Sequence, residues 1–291
     1  MSFAKYLEGR RRSEAAVEKL AVAMSDLQIR MADQLVDLLL DLDVRNGKVE
    51  STDANINRVS QIMALLKGNL ADDTWIEAVG EYVDSFDIME GDIVGYTETL
   101  GSVDKNLIAA LKKYYKTSVA EFLLSPEVFA KDVFKPIEQN IITSISTNAP
   151  LKELNESTRT ILKGTGEKEG AIVEAGKPMA ETSATLYERS ATSKIADELG
   201  IELYFYQGRN IDTTRPFCKA RAGHAWHIKE IEAWAEEDWA GKVDGTDKQT
   251  IFVYLGGWFA NRKSCRHVLL PVSIDSVPKE DLARMKANGY I

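Results

Sequence analysis

Apolar side chains at Val17, Leu20, Met24, Leu27, Met31, Leu35 and Leu38 recur at steps of three and four. That spacing lays them along one side of an α-helix and leaves the other side polar. A stripe of this length has to be covered, so the first part of the chain is expected to be helix packed on helix. It extends over only about three heptads, which favours packing within the chain over a coiled coil with a second copy. Self-association through these helices is the alternative. Asp41 and the stretch Arg45–Lys48 end the helix, because Asn46-Gly47 is a turn signal. Asp53 reads as the cap of a second helix carrying Ile56, Val59, Met63 and Leu66, stopped at Gly68-Asn69. A third starts near Asp72-Asp73 and buries Trp75, Val79, Val83 and Phe86. A fourth runs from about Asp104 to Leu123, and further helix spans Val128 to Thr147, with Pro136 at a start or kink. After Asn148-Ala149-Pro150, helix resumes over Leu151 to Leu162. The Gly-rich stretch 163–178 reads as a connector. Its glycines at 164, 166 and 170 follow no predicted strand, which argues against a phosphate loop. A last helix, Met179 to Leu199, closes on Gly200.

Beyond Gly200 the apolar period changes to two. Ile201–Arg209, Ile251–Gly257 and His267–Ile274 read as strands, with a short helix from Ile228 to about Trp239 between the first two. The expected fold class is therefore α+β, a mainly helical N-terminal region followed by a small C-terminal α+β module. The expected boundaries are a helical region over 1–162, a connector and linking helix over 163–200, the module over 201–275 and a tail over 276–291.

Composition narrows the function classes. A formal net charge of −9 argues against a general nucleic-acid coat, which needs clustered Lys and Arg against phosphate. Arg10-Arg11-Arg12 reads as a solvated helix start rather than a phosphate patch. No apolar run reaches 18 residues, so no membrane span is expected, and the basic N-terminus lacks the apolar core of a secretory signal. Two cysteines do not make a disulfide framework, so a reducing compartment is the default.

Those two cysteines and all three histidines fall between Cys218 and His267: Cys218, His224, His227, Cys265 and His267. Packing gives no reason to gather every thiol and imidazole of the chain there. Thiolate and imidazole are the ligands zinc prefers, usually four in a tetrahedron. Cys265 and His267 stand two apart, on one face if they enter a strand. Cys218 and either His224 or His227 complete the set. A bland alternative is that the cysteines are small buried hydrophobes and the histidines polar caps. A Cys-His nucleophile oriented by Asp212 or Asp244 is a third reading, but no hydrolase signature accompanies it. Asp212 and Arg215 have a structural role available, a turn whose Asp side chain bonds backbone amides. Trp226, Trp234 and Trp239 read as core; Trp258 shares their window.

The stretch YQGRNIDTTRPFCKARAGHAWHIKEIEAWAEEDWAGK, with the later IFVYLGGWFANRKSCRHVLLPVS, resembles the C-terminal domain of the phage Mu protein F-like minor head proteins, also called phage head morphogenesis proteins. The residues that carry the likeness are Asp212, Arg215, Pro216, Phe217, Cys218, Gly223, Glu230, Ile231, Trp234, Gly256, Gly257, Cys265, Arg266 and His267. They cover about a quarter of the chain; the helical remainder fits only in general character. The resemblance implies a virion protein of a tailed phage or prophage, in the host cytoplasm during assembly and then in the head. It would act near the portal vertex by binding portal protein, major capsid protein or both, with packaged DNA a weaker partner, and with no enzyme activity. It carries Cys218, Cys265 and His267 over as metal ligands. His227 is preferred to His224 as the fourth, because it stands at the start of the Glu-Ile-x-x-Trp helix. Zinc itself is inferred from the ligand chemistry rather than from the family. The alternative function is a metal- or thiol-dependent enzyme, a nuclease or hydrolase carried in the virion.

Overall fold

The computed structural model of the protein describes residues 3–257 and 265–291. Its elements in chain order begin with α1 (Phe3–Leu39), a two-stranded hairpin β1 (Val44–Arg45) and β2 (Lys48–Val49), and α2 (Asp53–Gly68). Next come α3 (Asp73–Thr97), α4 (Lys105–Leu124), α5 (Pro126–Phe129), α6 (Lys135–Ser146), α7 (Leu151–Lys163) and α8 (Ala171–Glu198). The remainder holds β3 (Leu203–Gln207), α9 (Pro216–Lys219), β4 (Ala225–His227), α10 (Ile228–Trp234), α11 (Ile251–Tyr254), β5 (Val268–Pro271) and α12 (Lys279–Ala287). The chain is thus mainly helical, with a small antiparallel sheet near its C-terminus, as an α+β fold requires. No helix of the described residues is long and apolar enough to cross a membrane.

The chain divides into two units that interleave along the sequence: residues 15–83 with 118–177, and residues 1–14 with 84–117 and 178–291. In the first of these, the stripe of α1 is buried from Val17 through Leu35 and then passes to Leu39 rather than Leu38. Steps of three and four average slightly less than the 3.6-residue turn, so the buried face drifts by one position over this length. Trp75 is buried, and its indole donates to the Leu123 carbonyl at 3.2 Å. Asn46 and Gly47 both have positive φ, 53° and 75°, the conformation of a two-residue hairpin turn. The turn signal therefore makes a hairpin and not only a helix stop. Thr52, not Asp53, caps α2 by accepting from the Asn55 amide. The connector contracts to 164–170, and α8 begins at Ala171 with Pro178 inside it.

In the second unit, α1 starts well before the apolar stripe. Arg10 and Arg12 are ion-paired with Glu188 and Asp92, so two of the three consecutive arginines are not simply solvated. The sheet has the order β4-β3-β5, all antiparallel. β3 is central, and its period of two sorts side chains to opposite faces. Leu203 and Phe205 join Ala225, Val272 and Met285, while Tyr204 and Tyr206 join Cys218, Trp234, Phe252 and Leu269. The segment Ile251–Tyr254 is a helical turn, not the strand its β-branched residues suggest. The Asp247 carboxylate accepts from the Gln249 and Thr250 amides and the Thr250 hydroxyl, which starts a helix ahead of a run too short to impose its own preference. Residues 276–291, read as a tail, contain α12. Its Asp281 is buried and accepts from the Ala225 amide at 2.8 Å, and its Met285 is fully buried.

The hairpin after α1 depends on Asn55, which is fully buried. Its amide accepts from Asp43 N at 2.7 Å and donates to the carbonyls of Asp43 and Glu50. Asn55→Ala orphans all three and is expected to cost about 2–3 kcal/mol. Thr52→Ala removes one cap and is expected to cost about 1 kcal/mol. Denaturant titrations of the two variants check this; equal losses would contradict the role assigned to Asn55.

Candidate metal centre

Three short elements bring the ligand residues together. Pro216 opens α9 with its φ already set for a helix, and the single turn that follows points Cys218 into the core beneath β3. Cys265 and His267 come from the approach to β5, and Tyr206 comes from β3. Cys218, Cys265 and His267 are all buried, and each offers one ligand atom within 4.8 Å of the other two. Cys218 Sγ stands 3.3 Å from Cys265 Sγ, and Cys265 Sγ stands 3.5 Å from His267 Nδ1. The group can hold a metal ion.

Backbone closes on this cluster from two sides. A Cβ on Gly256 would lie 2.4 Å from Cys218 Sγ and 3.1 Å from Cys265 Sγ; one on Gly208 would lie 2.1 Å from the His267 ring. Gly257 is required for a different reason, a φ of 71° and the Gly241 carbonyl 1.8 Å from where a Cβ would sit. Arg215, buried, donates to the carbonyls of Gly256 at 3.0 Å and Gly257 at 2.7 Å, which holds this glycine pair against the sulfurs. Arg189 of α8 donates to the carbonyls of Cys265, His267 (2.8 Å) and Val253 (2.8 Å).

The two thiols share one environment but are driven apart. Cys218 is pushed up, because its hydrogen bond with Cys265 and its burial both favour the protonated form. Burial opposes ionisation of Cys265 as well, but hydrogen bonds from Cys218 and His267 and the charge of Arg189 outweigh it and hold that thiol well below its usual range. The contact between the two thiols thus opposes a charge on both at once, and burial of Cys218 makes it a poor nucleophile.

The other sequence candidates lie elsewhere. His227 caps α10: its Nδ1 accepts from the Lys229 amide at 3.2 Å, its own amide donates to Glu230, and its ring stacks on Tyr290 at 5.3 Å. His224 is half-exposed and faces the buried carboxylate of Asp281, Nδ1 to Oδ1 3.2 Å. Neither belongs to the ligand group, so the fourth position assigned to His227, with His224 as substitute, is corrected. His224 is held by a partner 57 residues away, which spacing could not reveal, whereas His227 is held by a local capping box with Lys229 and Glu230. Asp212 is exposed and does not close its turn through its side chain. The Ile211 amide goes to the Thr214 hydroxyl at 2.7 Å instead. Trp234 is core, edge-on to Tyr206, Phe217 and Trp226, and Trp239 stacks on Phe217 at 4.2 Å. Trp258 lies outside the described residues.

Sequence reasoning missed Tyr206 and Arg189. The alternation of β3 is enough to put Tyr206 on the same face as Tyr204, but it says nothing of which side holds the sulfurs. Arg189 carries only one signal, a cation between the Ser-Ala-Thr triplets 183–185 and 190–192, whose small residues suit close packing of a helix. No family model, curated protein or solved structure matches the chain.

Gly256→Ala drives a methyl group into the two sulfurs and is expected to destabilise the protein by about 1–3 kcal/mol. Gly166→Ala, where a Cβ meets nothing within 4 Å, is expected to change stability by less than about 0.5 kcal/mol. Thermal melts of the two variants separate the cases, and equal shifts would contradict close approach at Gly256.

Proposed function

We propose that the chain is a minor head protein of a tailed phage or prophage, acting in head morphogenesis near the portal vertex through protein–protein contacts, with zinc in the Cys218, Cys265 and His267 cluster as a structural ion. One observation carries this reading. The residues on which the resemblance to the Mu F-like head proteins rests are in contact with one another. Arg215 binds the carbonyls of Gly256 and Gly257, Gly256 lies against Cys218 and Cys265, and Cys265 faces His267. Glu230 of the same motif accepts from the His227 amide and pairs with Arg284. A motif spent on holding a small domain together supports a binding module, whose function lies on its surface, over an enzyme.

Zinc suits the donors. Tetrahedral coordination with Zn–S near 2.3 Å and Zn–N near 2.0 Å places two sulfurs about 3.8 Å apart and a sulfur and nitrogen about 3.5 Å apart. The Cys265–His267 separation of 3.5 Å already meets this, and the 3.3 Å between sulfurs has to open slightly. The partners on this reading are portal protein, major capsid protein or both. A net charge of −9 makes packaged DNA the weaker partner, and self-association through the N-terminal helices remains an alternative contact. The protein would pass from the host cytoplasm into the virion.

The second reading, a metal- or thiol-dependent nuclease or hydrolase carried in the virion, is favoured only by the Cys-His chemistry itself. Burial of Cys218 and its raised pKa count against a nucleophile.

Quantitative mass spectrometry of purified particles tests the proposal. A copy number matching the portal ring, far below that of the major capsid protein, is expected. Absence from both procapsids and mature heads would overturn it. Cys218→Ser and Cys265→Ser are each expected to lower thermal stability and incorporation into heads. A Cys218→Ser chain that assembles normally while losing a hydrolytic activity would favour the enzyme.

A further inference from the structure

With His227 and His224 engaged elsewhere, the cluster offers three Cys and His ligands among the described residues, where zinc takes four. We infer that the fourth is the phenolate oxygen of Tyr206, so that protein atoms alone complete the shell. This rests on the reading that the cluster binds zinc.

Tyr206 is fully buried, and its ring is fixed between Trp234, edge-on at 5.9 Å, and His267, tilted at 5.4 Å. That wedge aims the hydroxyl at the sulfurs, 3.4 Å from Cys218 Sγ and 4.0 Å from Cys265 Sγ. A tetrahedral ion with Zn–S near 2.3 Å and Zn–O near 2.0–2.2 Å sets sulfur and oxygen about 3.5–3.7 Å apart, between the two observed distances. Without the ion the hydroxyl donates to Cys218 Sγ, a weak hydrogen bond because thiol sulfur is a weak acceptor. As an edge of a coordination tetrahedron the same contact needs little movement.

Burial and the neighbouring sulfurs push the Tyr206 hydroxyl up, so the phenolate forms only with the ion's own charge beside it. Two thiolates and a phenolate around a divalent ion leave one net negative charge. Arg189 and Arg215, both buried, reach the backbone on either side of the cluster through the carbonyls of Cys265 and Gly256. Buried cations favour an anionic ligand set over a neutral one. A shell closed by four protein atoms is the mark of a structural ion, because a catalytic one keeps a position for water or substrate.

The metal-free full-length chain titrated with Co²⁺ tests the assignment. Wild type is expected to show sulfur-to-metal charge transfer and the intense visible bands of a four-coordinate ion. Tyr206→Phe keeps the ring and its packing. It is expected to retain the charge-transfer band, lose visible intensity as water enters, and bind Co²⁺ more than about 100-fold more weakly, beyond the usual cost of a group that only supports a ligand. Unchanged bands and affinity in Tyr206→Phe, with wild type binding normally, would overturn the assignment of Tyr206 and leave the metal reading standing. Failure of wild type to bind Co²⁺ would overturn both. A measurement on wild type alone covers a variant that does not fold. Zinc addition is expected to raise the ultraviolet difference absorption of one tyrosinate per bound ion, and its absence with zinc bound would overturn the assignment.

Discussion

The guanidinium of Arg189 is the contact on which the C-terminal module depends. It is almost completely buried, and it donates through three nitrogens to carbonyls of Val253, Cys265 and His267. One side chain of α8 thereby gathers the end of α11 and the approach to β5, the latter carrying two of the three cluster residues. Lysine would not serve, because a single ammonium cannot reach carbonyls spread over such a fork. A buried cation is costly unless its donors are satisfied and its charge is balanced. The carbonyls meet the first need, and the charge of Arg189 in turn helps hold the Cys265 thiol below its usual range. Arginine and cluster are therefore mutually dependent, and neither is explained by packing alone.

The same economy of contact explains the glycines. At Gly208 and Gly256 the backbone lies where an ordinary residue would put a methyl group, against the imidazole of His267 and the sulfur of Cys218. The cluster is thus enclosed by main chain as well as by aromatic rings.

What the sequence makes readable follows from how local each signal is. The α1 stripe and the alternation of β3 are set by period, and both emerge as read, apart from the shift from Leu38 to Leu39. Cys218, Cys265 and His267 were readable as a group because thiols and imidazoles are so scarce in this chain. The misreadings all involve contacts across long separations or competition between local effects. His227 looked like a ligand, but its Nδ1 serves the Lys229 amide and its ring lies on Tyr290. Ile251–Tyr254 looked like a strand, but the Asp247 carboxylate had already started a helical turn. Tyr206 could be placed on a face by periodicity, yet only the fold brings its hydroxyl beside the sulfurs.

The central proposal is that a metal ion organises this module. The most direct measurement is metal content of the purified full-length chain by plasma mass spectrometry, coupled to thermal melting with and without a strong chelator. The account predicts one zinc per chain and a lower melting temperature once the metal is removed, since an ion bound only by the folded state adds its binding energy to stability. A metal-free chain whose melting temperature ignores both zinc and chelator would contradict it, leaving Cys218 and Cys265 as buried thiols held only by Arg189, Arg215 and the aromatic core.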